Sequence, residues 1–178
     1  MDEIKKVGKS VLQLEDLHHQ YVQTAYCKDF WNDDMSLANS PHVEMMRIML
    51  EHGLDIKRLQ KTRYVAEKRY RVSLGRKQWT DDYIFNMHLP KRYKILRMVK
   101  NGYKKFDKPV AVLGIPFWRS RFGEAPEWVK GIELWDGHGR TSAMYALGMT
   151  EVKCSLYEDA NPGSKQWKKV QKELKSRS

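Results

Sequence analysis

Between Ile132 and Gly148 the chain changes its hydrophobic period once, across two glycines, and that change limits what it can fold into. Ile132-Glu133-Leu134-Trp135 alternates and is rich in strand formers, which predicts a short buried strand. Asp136-Gly137-His138-Gly139 breaks the alternation and predicts a tight turn. From Arg140 the apolar residues Ala143, Met144, Ala146 and Leu147 recur at helical spacing, with Gly148 placed as a C-cap. Strand, glycine turn and helix in this order leave the first N–H groups of the helix unpaired and pointing out of the turn. An anion, phosphate above all, is favoured at such an end. Arg140 adds a fork of donors suited to phosphate, Asp136 a carboxylate at the strand end, and His138 a group that titrates near neutral pH. Taken alone, the stretch fits equally a plain strand-to-helix turn in which Asp136 caps the helix and Arg140 is a surface side chain.

Asp136-Gly137-His138-Gly139-Arg140, followed by Thr141-Ser142-Ala143 and the helix end Ala146-Leu147-Gly148, resembles the DGHHR-type motif of the ParB/sulfiredoxin superfamily. Glu151 to Tyr157 fits the strand that follows in that family, so the resemblance covers about residues 108 to 158 well and the earlier chain loosely. It implies an α+β domain, a small mixed sheet with packed helices, whose turn holds nucleotide phosphates. One position departs from the pattern: the second His of the motif is Gly139 here. The turn is most similar to that of the free serine kinase subgroup, matching at Asp136, Gly137, His138 and Arg140. By that resemblance Arg140 and the N–H groups of Gly139, Arg140, Thr141 and Ser142 hold the donor phosphates of ATP or ADP, beside Gly137. Asp136 positions the acceptor hydroxyl or a Mg²⁺, and His138 contacts the transferred phosphoryl. Glu15 and Glu44 are the candidates for a general base, neither of them matched to the motif. The sulfiredoxin branch carries its reactive Cys inside the turn, where this chain has His138 or Gly139. Cys154 falls mid-strand, a poor place for a nucleophile.

The charge balance points to a partner. The 178 residues carry a net charge of +11, and positions 57 to 105 alone hold 16 Lys and Arg against Glu67, Asp81 and Asp82, a local excess of +13. Such a concentration favours a polyanion: DNA, RNA or a phosphorylated substrate. A solvated basic face is the plainer reading. The length fits a single domain over 1–178, and 41% hydrophobic residues argue against general disorder. No window approaches the ~18 apolar residues of a membrane span. The opening MDEIKKVGKS lacks an apolar signal core, which predicts a cytoplasmic protein, and the resemblance implies a member from a bacterium or a phage-infected cell. Cys27 and Cys154 have no metal spacing and read as buried thiols.

Taken in order, Ser10 to Leu17 sets Val11, Gln13 and Glu15 against Leu12 and Leu14 and predicts the first strand. The adjacent pair His18-His19 cannot easily share one ion, and no other ligands stand at metal spacing, so no metal site is expected. Thr24 to Asn39 reads as a loop. Ser40-Pro41 opens a helix, Met45, Met46, Met49 and Leu50 give its stripe, and Gly53 ends it. The Ser40-Pro41-His42 opening resembles an element that precedes the basic insert in some relatives of the same superfamily, which implies that His42 and Glu44 face the pocket; the plainer reading is a helix-start His and a solvent-facing Glu. Leu54 to Gly75 reads as one helical tract whose Lys57, Arg58, Lys61, Arg63, Lys68, Arg69 and Arg71, interleaved with Tyr64 and Tyr70, suit a nucleic-acid surface. Asn86 to Pro90 is expected to break the next element before a helix over Lys91 to Tyr103. Together these make a basic helical insert at about 54–105. Lys108 to Gly114 predicts a buried strand, Arg119 and Arg121 lie on the long connection after it, and 164–178 forms a basic amphipathic C-terminal helix.

Three functions compete at this stage. One is a nucleotide-dependent phosphotransferase acting on a nucleic acid or a nucleotide, with DNA favoured by the charge. The second is a ParB-like DNA-binding or nuclease module, although the arginine-rich box and helix-turn-helix of a partition protein are missing. The third is a non-catalytic, phage-type protein that keeps the fold.

Overall fold

The computed structural model describes residues 5–18, 36–70, 79–102, 110–113 and 132–158. The fold is α+β. Strands β1 (Lys5–Gln13), β2 (Leu17–His18), β3 (Val110–Leu113), β4 (Ile132–Asp136) and β5 (Glu151–Glu158) form one mixed sheet in the order β1-β5-β3-β4-β2. β1 pairs antiparallel with β5, β3 parallel with β5 and antiparallel with β4, and β2 parallel with β4. The first strand begins earlier than its alternation suggests and stops at Gln13, where Leu14–Asp16 makes a single 3₁₀ turn. The alternation itself holds: Val11, Gln13 and Glu15 are exposed, while Leu14 and Leu17 are fully buried.

That turn joins the two edge strands of the sheet. Four Cα steps from Gln13 to Leu17 reach at most ~14 Å, whereas the edges of a flat five-stranded sheet stand ~19 Å apart. The sheet must therefore curl, and Leu14, Leu17, Leu37, Val43, Leu134, Val152, Cys154 and Leu156 fill its inner side as one apolar cluster.

Among the described residues, five α-helical segments precede β3. They are α1 (Pro41–His52), α2 (Ile56–Leu59), α3 (Arg63–Tyr70), α4 (Asp81–Tyr83) and α5 (Leu89–Lys100). α6 (His138–Ala146) leads from β4 to β5. α1 starts and stops as its sequence dictates. Ser40 Oγ accepts the Val43 N–H at 3.1 Å, Pro41 occupies the first turn, and Gly53 closes the helix at φ +64°. Its methionines Met45, Met46 and Met49 enter a second apolar cluster with Tyr64, Val65, Leu96 and Ala143, which binds the helices of the insert to α6.

The tract 54–75 differs from the single helix expected. Asp55 and Thr62 each cap a separate segment, with Arg58 N–H on Asp55 Oδ1 and Val65 N–H on Thr62 Oγ1, so the chain turns at Gln60–Thr62. Short side-chain acceptors compete with the helical ladder, and here they win. The reverse holds at Asn86–Pro90, which does not break. Ile84–His88 forms a π-helical turn, with Leu89 N–H donating to Ile84 O, and joins α4 to α5. The wider turn takes up Pro90, which has no N–H and would clash in a regular helix. The loop expected over Thr24 to Asn39 lies mostly outside the described residues; Arg71, Arg119, Arg121 and the C-terminal segment 164–178 lie outside them entirely.

Candidate functional site

The turn between β4 and α6 uses one glycine for its backbone and the other for space. Gly137 takes φ +88°, a left-handed conformation that L side chains resist. The helix therefore begins at His138, two residues before the start its periodicity suggests. Gly139 is already helical and buried, and a Cβ there would meet Arg92 Nη1 of α5 at 2.8 Å and Ile95 at 3.5 Å. The position where the resembling motif carries its second His is thus filled, in space, by an arginine from the insert.

Asp136 locks the turn. Its Oδ1 accepts the Gly137 N–H at 2.8 Å and its Oδ2 accepts Arg140 Nη2 at 3.1 Å. Thr141 closes it from below: its N–H and its hydroxyl both donate to Gly137 O at 2.9 Å. The N–H groups left without an intrahelical partner are therefore those of His138, Gly139 and Arg140. This shifts the expected phosphate-holding set, since Thr141 N–H is engaged and the side chains of Thr141 and Ser142 are fully buried. Ser142 Oγ has no hydrogen-bond partner in that interior. His138 turns inward, with Nε2 buried, so its ring tip faces the protein rather than solvent.

Arg92 is the group that sequence reasoning missed. Its Nη2 lies 3.4 Å from His88 Nε2, and its Nε is buried without a hydrogen-bond partner. No carboxylate among the described residues pairs with it. Arg140 is balanced by Asp136, whereas Arg92 stands at the start of α6 with no carboxylate partner among the described residues. Only a glycine where a side chain was expected hinted at something approaching from elsewhere. Behind Arg92, His88 Nδ1 lies 3.0 Å from the Tyr64 hydroxyl, and Tyr64 meets the His42 ring edge-on at 4.8 Å. His42 therefore faces this buried polar chain.

The two base candidates are not brought to the turn. Glu15 lines a cleft of about 310 Å³ with Gln13, Arg47, Tyr145, Gly148, Met149 and Thr150, at the C-terminal end of α6. The nine residues of α6 separate it from Asp136, roughly 12 Å of helix. Glu44 accepts Arg63 Nε at 2.7 Å and is held in that ion pair. Among the described residues no group of three or more His, Cys, Asp and Glu could hold a metal ion. Cys154 lies behind the turn on β5, and burial, opposed by the nearby Arg140 charge, pushes its thiol up to about 11. It is not a nucleophile at neutral pH.

The nucleic-acid candidates are also redistributed. Arg58 pairs with Asp55, Arg63 with Glu44, and Arg69 with Asp81 through two bonds of 2.8 and 2.9 Å, which holds Asp81 below its ordinary carboxylate range. Lys68 is buried at 4% exposure, 3.7 Å from Glu67 and over the rings of Tyr64 and Trp79. Lys57 and Lys61 remain exposed. Of the basic residues expected over 57–71, Arg58, Arg63, Lys68 and Arg69 are thus engaged in ion pairs, and among these four only Lys68 is buried.

Compared with known proteins, the chain matches no protein-family model, no curated protein and no solved structure. Among the described residues, no helix is long and apolar enough to cross a membrane.

Proposed function

We propose that the start of α6 binds nucleotide phosphates and that the protein transfers a phosphoryl group to a hydroxyl of a nucleic acid or nucleotide. The placement of Arg92 against Gly139 is the observation that carries this reading. A guanidinium at the positive end of a helix dipole is repelled by it, and a partly buried charge with no described counter-ion is costly. A phosphate bound between Arg92, Arg140 and the N–H groups of His138, Gly139 and Arg140 relieves both effects.

The resemblance of the turn to the ParB/sulfiredoxin superfamily supplies the reaction class and the ParB-like assignment of the fold. Phosphoryl transfer asks for placement and charge neutralisation more than for covalent chemistry from the protein. Asp136 uses one lone pair of each oxygen on Gly137 and Arg140, which leaves others for an acceptor hydroxyl or a Mg²⁺ carried with ATP or ADP. The local excess of +13 supports a nucleic-acid acceptor, DNA foremost, in the cytoplasm of a bacterium or a phage-infected cell.

A second reading, a ParB-like nucleic-acid-binding or nuclease-type protein that holds phosphate without transferring it, is favoured by the positions of Glu15 and Glu44. Neither is available to Asp136 as a base. Incubation with γ-labelled ATP, Mg²⁺ and serine, nucleosides, plain DNA and hydroxymethylated DNA separates the two. Label should appear on one acceptor and be lost in Asp136→Asn. ATP binding without transfer to any acceptor would leave the second reading.

A further inference from the structure

His88 is buried at the end of the π-helical turn, and its two ring nitrogens meet different partners. Nδ1 lies 3.0 Å from the Tyr64 hydroxyl and Nε2 lies 3.4 Å from Arg92 Nη2. The second contact decides the first. A guanidinium only donates, so Nε2 must accept and carries no proton. The ring proton then sits on Nδ1 and is donated to the Tyr64 oxygen. An imidazolium would instead set two positive groups against each other across the 3.4 Å to Arg92. Lys68, 3.7 Å from Glu67, stands over Tyr64 and Trp79, two of the rings that touch His88, and adds a second cation nearby. His42 meets the Tyr64 ring, Tyr83 contributes an uncharged ring from α4, and Asp81 and Asp82 are turned to Arg69 and Asn86.

The ring is fixed from several sides. Trp79 meets it edge-on with ring centroids 4.3 Å apart, and Tyr64 and Tyr83 follow at 5.9 and 6.3 Å. Arg92 is therefore held by a rigid acceptor. Among the described residues His88 is its one hydrogen-bond partner, and the guanidinium so held lies against Gly139 at the start of α6. An acid in the place of His88 would orient Arg92 equally well, but it would also neutralise the charge that an incoming anion needs. A neutral imidazole orients without neutralising. Arg140 shows the opposite arrangement, held by the carboxylate of Asp136.

We infer that His88 is a positioning residue of the phosphate site: as the neutral Nδ1–H tautomer it holds the Arg92 guanidinium against Gly139 and leaves its charge for an anionic phosphate. The role rests on the proposed phosphate site for its ligand and on no part of the proposed transfer. His88 touches no phosphate and acts only through Arg92.

The test uses the full chain with isotope-labelled histidine. Long-range proton–nitrogen correlation spectra at neutral pH report the tautomer of each ring, and the signal lost in His88→Gln identifies His88. The Nδ1–H tautomer is expected, and a proton on Nε2 overturns the inference. Calorimetric titration of ATP with Mg²⁺ then compares two replacements. The carboxamide of Gln reaches about where Nε2 stands and can accept from Arg92, whereas that of Asn stops where Nδ1 stands. His88→Gln should bind ATP within about 2-fold of the unaltered protein. His88→Asn should bind roughly 3- to 10-fold more weakly, the effect of one hydrogen bond of ordinary strength. In an Arg92→Gln background His88→Asn should weaken binding no further, because both changes act through one guanidinium. A merely structural role would lower Tm in both replacements and leave their ATP affinities alike. Equal affinity of the two, or an additive loss in the Arg92→Gln background, therefore defeats the positioning role alone. Absence of ATP binding in the unaltered protein defeats the phosphate site, and the positioning role with it, whichever tautomer the spectra show.

Discussion

Arg92 and Gly139 share one volume: the guanidinium of Arg92 sits 2.8 Å from the point where a Cβ of residue 139 would stand. The glycine is thus required by a neighbour and not by its own backbone, and the two glycines of the turn should respond oppositely to the same substitution. Gly139→Ala adds a better helix former, worth about 1 kcal/mol, and displaces only the far end of a flexible side chain. It should leave thermal stability equal or slightly raised while it weakens ATP binding through the shifted Arg92. Gly137→Ala forces alanine to φ +88° and should cost about 1–2 kcal/mol. Melting curves of the two variants, read beside ATP titrations, check the contrast.

Tyr64 is fully buried and its hydroxyl lies 3.0 Å from His88 Nδ1. Tyr64→Phe keeps the ring contacts and removes that hydroxyl from a buried histidine. The loss should be about 1–2 kcal/mol, lowering Tm by roughly 2–8 °C for a chain of this size. An unchanged Tm would show that the Tyr64–His88 contact does not support the packing of α3 on the π-helical turn over 84–88.

The Cys154 thiol is raised from its ordinary value of 9.0 to about 11 because burial penalises the thiolate. In the unfolded chain the thiol ionises near pH 9, while in the folded chain it stays protonated. The unfolded state then binds fewer protons, so stability falls as pH rises from 9 to 11, by roughly 1.4 kcal/mol per pH unit at most. Below pH 9 this contribution is fully present. Urea melts at pH 8 and pH 10.5 should show the loss, and Cys154→Ala should flatten that part of the pH dependence.

Much of the frame was legible because local chemistry decided it. Ser40, Pro41 and Gly53 fix α1 without help from the rest of the molecule, and Ile132 to Ala146 had to form strand, turn and helix because Gly137 alone can make the connection. The misplaced elements are those where one signal overruled another. Thr62 reads as an ordinary helix residue until its hydroxyl is seen to cap α3, and Pro90 reads as a breaker until the π turn over 84–88 makes room for it. Pairing between distant positions was invisible in one dimension. Nothing near Arg63 announces Glu44, nothing near Arg69 announces Asp81, and nothing near Gly139 announces Arg92. These contacts decided which basic residues face solvent and which complete the turn. Composition located the excess charge in 57–105 but not which of its cations are paired.

The most direct test is calorimetric titration of ATP with Mg²⁺ into the unaltered protein, Arg92→Gln and Arg140→Gln. A charge-assisted hydrogen bond contributes about 1.5–3 kcal/mol, so each variant should bind roughly 10- to 150-fold more weakly with its fold intact. Binding in the unaltered protein that survives Arg92→Gln at full strength, or no binding at all, would contradict the assignment of the start of α6 as a phosphate site.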